Sequence, residues 1–427
     1  MPALLFCALS GHQGGADKAA GFAGGGNPNT TRKRNMRELR RQLLGYADHL
    51  TQLRRAFHRH PERGLEEYWT AEAIESELDY LGIEHQRIGA TGVLGTIKGA
   101  AEGRVVALRA DIDGLPVQEL NDIPYRSEND GVMHACGHDG HIASLLGAAW
   151  ALAARRQEFA GEVRLIFQPA EEIGRGAENF VAAGVLSDAV RVFGLHAASD
   201  LPTGTIGISQ GVSLAAVDLF DIQVHGKGAH VSRPHLGADA LYAASQIVVG
   251  LQAAVARLSD PLVPYVVGIG TLNSGTTYNA VPETAHISGT TRTLSAEHRS
   301  RARADVTRIS ELTARAYGAR AEVKWTDVTP AVINPPELCA EVAESARKLG
   351  DLRIVTGDSV SLGGDNFAEL QQEAPGVYVY LGTADPDRPE TQHSHHNGNF
   401  DLDESALPIG AALYAQYALD ALAGVDR

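Results

Sequence analysis

Cysteine is scarce: the 427 residues contain three, Cys7, Cys136 and Cys339. An odd and sparse set cannot build a disulfide framework and suits a reducing compartment, so a cytoplasmic location is expected. A basic excess is also missing, because 37 Lys and Arg stand against 52 Asp and Glu for a formal net charge of −15. Gripping a phosphate backbone without regard to sequence needs a cationic surface, so that class of nucleic-acid function is excluded. No apolar stretch reaches the about 20 residues that a membrane-spanning helix needs, since Gly, Gln or a charge recurs within a few positions. The short apolar run from Ala3 to Leu9 has no Lys or Arg before it and does not read as a secretory signal. Internal repeats are absent. Residues 11–35 carry Gly, Asn, Ala and Thr without hydrophobic period and are expected to form a flexible tail. The fold is expected to begin near Met36, a second candidate start of translation.

Against these absences, 44% of the residues are apolar, enough for a buried core in two or three domains of about 150 residues each. Periodicity predicts helices over Arg37 to Arg59, ended by Pro61, and Tyr68 to Leu81. Short β-branched runs then alternate with helical stretches: Val105 to Arg109, Ile142 to Arg156, Val163 to Phe167, Ala177 to Ala183 and Val192 to Leu195. That alternation means βαβ units and an α/β fold with a mostly parallel sheet flanked by helices. From about Ala215 to Pro330 the order becomes strand, helix, two strands, helix, strand, a ferredoxin-like α+β unit inserted into the first domain. The α/β rhythm resumes with a helix from Leu338, a strand at Val377 to Leu381 and a closing helix from Leu407 to Ala423. The expected division is a tail over 1–35, a first domain in two parts, 36–214 and 331–427, and an inserted domain over 215–330.

Seventeen histidines are present, and nine fall in three groups: His134, His138 and His141; His225, His230 and His235; His393, His395 and His396. Cys136 precedes His138 by two positions in a Gly-containing loop before a helix, where thiolate and imidazole can share one metal ion. The strand over Val163 to Phe167 runs into adjacent carboxylates, Glu171 and Glu172, which repel each other unless a cation or proton compensates. His196 ends another apolar strand, and Asp111 and Asp113 follow the first. Each feature alone has a bland reading as core cysteine, surface carboxylate or buried histidine. Together they place polar groups at the carboxyl ends of three predicted parallel strands, the edge where open α/β sheets carry their sites. Mixed Cys, His and carboxylate ligation suits Zn²⁺, with Mn²⁺, Co²⁺ and Ni²⁺ as alternatives.

Metal-activated water is a nucleophile at neutral pH, and a carboxylate left off the metal can carry its proton to a leaving amine. Adjacent glutamates divide those tasks: if Glu172 binds metal, Glu171 is general base and acid, although the residues alone leave open which has which role. The chemistry is hydrolysis of an amide or peptide bond. A thiol mechanism with Cys136 as covalent nucleophile is a third reading.

These residues carry a resemblance. The stretches Arg109-Ala-Asp-Ile-Asp-Gly-Leu-Pro116, Cys136-Gly-His-Asp-Gly-His141, Gln168-Pro-Ala-Glu-Glu172, Gly194-Leu-His196 and Gly226-Lys-Gly-Ala-His230 resemble, in matching order, the di-metal amidohydrolases of the aminoacylase and carboxypeptidase superfamily. The likeness is narrower to the branch holding hippurate hydrolase, N-acyl-amino-acid amidohydrolases and auxin-conjugate hydrolases, and it covers about Leu53 to Ala423. It implies a zinc-exopeptidase-like fold and two divalent metal ions held by Cys136 as the bridging ligand, His138, Glu172, His196 and His396, with Glu171 as catalytic base. For the last histidine, His393 and His395 are rivals, because Gly398 stands where relatives usually have Pro. It also implies Asp113 as support of the metal site and a structural Asp111. The inserted domain would serve as lid and dimerisation unit, with His230 stabilising the oxyanion and Asn279 and Arg292 holding substrate carbonyl and carboxylate. Gly363-Gly-Asp-Asn-Phe367 departs from the family pattern and puts a substrate role for Asp365 in doubt. The expected activity is hydrolysis of small N-acyl-amino acids by a homodimer or higher homo-oligomer. The rivals are a dipeptidase or carboxypeptidase and, outside enzymes, a metal-binding dimeric interaction module, against which an intact Glu171 speaks.

Overall fold

The structure, a computed structural model, describes residues 38–424 apart from 261, 262 and 264. The tail expected over 1–35 and the start at Met36 lie outside the described residues. The chain divides into two compact units: one holds the residues to Gln210 with Asn334–Gly357 and the segment from Leu370, the other Gly211–Ile333 with Asp358–Glu369.

The first unit begins with helices α1 (Ala47–Arg59) and α2 (Tyr68–Tyr80), followed by strands β1 (Glu84–Ile88), β2 (Gly92–Lys98) and β3 (Val105–Asp111). Then come α3 (His138–Ala153), β4 (Glu162–Gln168), β5 (Ala189–Pro202) and β6 (Thr205–Ser209). The second unit contributes β7 (Ala216–His225), α4 (Ala240–Ala253), β8 (Val266–Ser274), β9 (Thr284–Thr293), α5 (Ala296–Ala316) and β10 (Arg320–Thr329). The first unit then resumes with α6 (Pro336–Lys348), β11 (Arg353–Gly357), β12 (Gly376–Ala384) and α7 (Leu407–Ala423).

The large sheet runs β1-β2-β4-β3-β5-β12-β6-β11, and its four central strands, β4, β3, β5 and β12, are parallel. Strands covered on both faces read as continuous apolar runs, and β3 and β4 are buried along nearly their whole length. Strands β1, β2, β6 and β11 escape the sequence reading: β1 and β11, at the two edges of the sheet, are largely exposed, while β2 and β6 are buried but short runs broken by glycine. Helix α3 is rich in Ala and Gly, and α7 crosses it closely: a Cβ on Gly147 would sit 2.8 Å from that of Ala411. The first predicted helix is interrupted by a turn at Tyr46. Helix α3 starts at His138 rather than near Ile142, because Gly137 takes the left-handed conformation (φ 88°) that lets the chain enter the helix immediately after Cys136.

The second unit is a four-stranded antiparallel sheet in the order β8-β9-β7-β10, with the βαββαβ chain order of a ferredoxin-like unit. Its core joins Phe220, Ile222 and Ile287 of the sheet to Ala243, Ile247, Leu251 and Val306 of the two helices. Asp239 and Ser295 cap those helices by accepting N–H bonds from Tyr242 and His298. Residues Ala240–Leu258 form a 19-residue helical stretch, close to the helix expected over Ala238 to Arg257, with a mean hydropathy of 1.3 over 18 residues. One face of it is this core. Asp358–Glu369, expected in the first domain, belongs to the second unit: Ala215 N–H donates to the carbonyls of Ser361 and Gly363, and the Thr329 hydroxyl to that of Asp365. Such pairing leaves no periodic trace in sequence. Asp365 Oδ1 accepts the Phe367 N–H at 2.7 Å, so this carboxylate caps the short helix that follows.

Beneath the amino end of α3 lies a buried charge network. Arg54, with no exposed surface, donates to Asp139 at 2.7 Å, Asp401 at 2.8 Å and Glu404 at 3.3 Å, while His58 bridges Asp139 and Glu119 at 2.7 and 3.2 Å. Burial alone would raise the Asp139 carboxyl, yet Arg54 and His58 hold it well below its ordinary value. The same opposition, burial against Arg54, leaves Asp401 lowered. Arg54→Met is therefore expected to cost about 3–5 kcal/mol at neutral pH, read from urea unfolding, because carboxylates lose their buried counter-charge. Depressed carboxyls stabilise above their unfolded pKa of about 3.9 and lose that contribution as pH falls. The penalty should shrink below that pH, and an unchanged unfolding midpoint at neutral pH would show that the network adds no stability.

Candidate metal centre

Because β4, β3 and β5 are parallel neighbours, the carboxyl ends of β4 and β3 deliver Glu171 and Glu172 and Asp111 and Asp113 to one edge, where β5, which runs on to Pro202 instead of ending at Leu195, presents His196 from its middle. His196 stands two residues beyond Gly194, the last residue of β5 paired with β3. Helix α3 adds Cys136 just before its start and His138 as its first residue. The loop after β12 supplies His396.

Asp113 organises these donors. Its carboxylate accepts the backbone N–H of Glu171 at 3.1 Å and of Glu172 at 3.0 Å, and its carbonyl accepts from His138 Nδ1 at 2.9 Å. A carbonyl only accepts, so Nδ1 carries the proton and Nε2 presents its lone pair. His196 is set in the same way: Nδ1 donates to the Ala197 carbonyl at 2.7 Å, leaving Nε2 3.4 Å from Cys136 Sγ. Glu172 Oε2 lies 3.3 Å from His396 Nε2. Four groups converge with ligand atoms mutually within 4.8 Å: Cys136 with His138 and His196; Cys136 with Glu172 and His396; His138 with Glu171 and Glu172; and Asp111 with His138 and His141.

The last group is committed internally. His141 Nε2 accepts the Ala197 N–H at 2.8 Å, so its Nδ1 donates to Asp111 at 2.5 Å, and Asp111 also takes the Arg109 guanidinium at 2.7 Å. Asp111 and His141 thus brace the stretch of β5 that carries His196. His134 joins none of these groups; neither ring nitrogen has a hydrogen-bond partner, and burial pushes it down to about 3. Among the described residues His393 joins none either.

The electrostatics call for positive charge. Burial and the facing Glu172 carboxylate push the Cys136 thiol well above its usual range. Glu172 would be raised by burial, but the facing His396 and His138 bring it below its ordinary value. His138 Nε2 and Glu172 Oε1 are buried without a hydrogen-bond partner. Orphaned lone pairs beside a thiol and two carboxylates fit divalent cations, with Cys136 common to two donor groups.

Two backbone conformations aim the donors. Ala170 (φ 59°) and His396 (φ 62°) are left-handed without being glycine, a placement that costs about 1–3 kcal/mol and persists only where surroundings enforce it. Ala170 is held by Glu67, which accepts its N–H at 2.8 Å and the Thr91 hydroxyl at 2.7 Å, and which burial pushes up to about 7. Near His396, Gly398 is required, since a Cβ there would lie 2.5 Å from the Gln118 carbonyl. That close approach explains the departure from proline. Sequence reasoning missed Glu67, which precedes α2 as one of many glutamates, and assigned no task to His141, although its place in the histidine cluster was a signal.

The remaining candidates lie in the second unit. The pairing of Ala229–His230 with Ala280–Val281 sets His230 beside Asn279, whose carbonyl accepts the Val231 N–H. Ser232 N–H donates to His230 Nδ1 at 3.1 Å, so the proton sits on Nε2. Arg292 is half-buried on β9, opposite Val217, whereas Thr284 at the other end of that strand is opposite His225. Eight residues at about 3.3 Å each separate the two ends by about 26 Å.

Residues 107–420 match the family described as peptidase family M20/M25/M40. The chain is 40% identical over 375 residues to an N-acetylcysteine deacetylase of Bacillus subtilis, covering 87% of this chain and 96% of that one. It is 39% identical over 387 residues to thermostable carboxypeptidase 2 of Saccharolobus solfataricus, covering 90% and 98%. The fold matches the crystal structure of a dinuclear metal-binding peptidase of the M20 family from Bacillus subtilis with a TM-score of 0.78 and 38% identity, covering 89% of this chain and 99% of that one. Likeness of this extent, over both the matched segment and nearly the full length of these relatives, makes the chain a hydrolase belonging to peptidase family M20/M25/M40.

Proposed function

We propose that this hydrolase is a two-metal amidohydrolase that splits N-acyl-amino acids into a carboxylic acid and an amino acid. The observation that carries this reading is the pair of donor groups sharing Cys136, with the carboxylate of Glu171 in a third group beside them. Cys136, His138, Glu172, His196 and His396 would hold the cations. Divalent cations held there would supply Lewis acidity to an amide carbonyl and to water. Glu171, kept beside Glu172 by the Asp113 clamp, takes the proton from attacking water and returns it to the departing amine. His230, protonated on Nε2, donates to the developing oxyanion, Asn279 holds the carbonyl, and the planar fork of Arg292 pairs with the carboxylate of the amino acid.

Arg292 stands about 26 Å of strand from Thr284, and His230 and Asn279 lie five residues along the chain from His225 and Thr284 respectively, at the opposite end of that pairing. The placement of Arg292 toward the other end of the strand from the chain segments carrying His230 and Asn279 supports a homodimer in which each copy completes the other's site. The outward face of α4 supplies an apolar surface for that contact, with Leu241, Tyr242 and Val249 exposed, and β8 offers an open sheet edge beside it.

Glu171→Gln is expected to lower turnover about 10²- to 10⁴-fold while bound metal stays at the wild-type level. Assay of N-acetyl- and N-benzoyl-amino acids beside free peptides, with metal analysis of the same sample, tests the substrate class: preference for peptides would favour a carboxypeptidase, as in the Saccharolobus relative, over the acyl-amino-acid reading. Chelation should abolish activity and added Mn²⁺ or Zn²⁺ restore it, whereas activity that survives chelation would favour Cys136 as a covalent nucleophile. Combining Tyr242→Glu with Val249→Glu should convert a dimer to monomer in sedimentation and depress turnover. A wild type that sediments as a monomer while fully active would overturn the shared-site arrangement.

A further inference from the structure

His395 immediately precedes the candidate ligand His396, and its Nδ1 stands 3.5 Å from Cys136 Sγ. The ring is packed between His196, at 5.2 Å between centroids, and Phe400, at 4.9 Å. Its backbone is pinned as well: His396 N–H donates to the Ala135 carbonyl at 2.8 Å, tying the loop to the residue before Cys136. The left-handed turn at His396 then sends the two adjacent histidines in different directions, one toward Glu172 and the other toward the sulfur. His395 stands outside the donor groups whose atoms converge within 4.8 Å, so the geometry makes it a neighbour of the sulfur and not a further ligand.

We infer that His395 is a positioning residue of the metal centre, donating its Nδ1–H to the Cys136 thiolate. The role rests on the two-metal reading above. A thiolate holding metal there would keep lone pairs in other directions, and a fixed N–H aimed at one of them would steady the sulfur. The same bond draws electron density from sulfur and leaves the cations more electrophilic.

The test uses the full-length chain, stripped of metal and titrated with Co²⁺ and Zn²⁺ against a competing chelator. His395→Phe, which keeps a ring but no donor, is expected to weaken metal affinity about 10- to 100-fold, the usual cost of losing a partner of a ligand, without changing the number of ions bound. Its sulfur-to-Co²⁺ charge-transfer band should move to longer wavelength, because an unbonded thiolate gives up charge more readily. His395→Asn, whose amide nitrogen can take the place of Nδ1, should restore both affinity and band position. Unchanged affinity and an unmoved band in His395→Phe would overturn the role, and so would loss of one bound ion, which would make His395 a ligand. Wild-type protein that binds neither ion would instead remove the metal centre itself, an outcome that the same titration separates from the others.

Discussion

A single buried carboxylate, that of Asp113, fixes the relation between three chain segments. Its two oxygens hold the amides of Glu171 and Glu172, and its own carbonyl fixes the tautomer of His138. A strand end, a tight turn and a helix start are thereby locked around one residue. These donors offset part of the cost of burying its charge, although burial still leaves the carboxyl raised, and two glutamates which would repel each other in open solvent are held side by side. The donors to which the proposed hydrolysis is assigned inherit their direction from this arrangement.

Around that centre the protein uses buried polar networks as scaffolding. Arg109, Asp111 and His141 brace the middle of β5, while Arg54 and His58 join Asp139, beside His138, to Asp401, which follows the loop of His396. Glu67 enforces the left-handed Ala170 from a position more than a hundred residues earlier in the chain. Each network links segments remote in sequence, so the rigidity of the site depends on the completed fold of the first unit and not on any one loop.

This also explains what was legible in the sequence. Asp111 with Asp113, Cys136 with His138, and Glu171 with Glu172 are local pairs, and their spacing at the ends of apolar strands announces them. The central strands and the alternation of the inserted unit are readable because burial imposes a continuous apolar run on one and a repeating order on the other. Glu67, Arg54 and the pairing of His141 with Ala197 are invisible there, because each depends on contacts between distant segments and carries no spacing of its own. The segment Asp358–Glu369 was placed with the wrong unit for the same reason. His396 and His395 are neighbours of the same type, and only the backbone turn between them gives each a separate direction.

The glycine at position 398 narrows what can be exchanged between this chain and its relatives. The segment it admits, Gln118 to Leu120, carries Glu119, which grips His58 in the Arg54 network. A histidine loop transplanted from a proline-bearing homologue would therefore displace more than its own backbone, and a workable chimera must carry the 118–120 strip along with it as one inherited module.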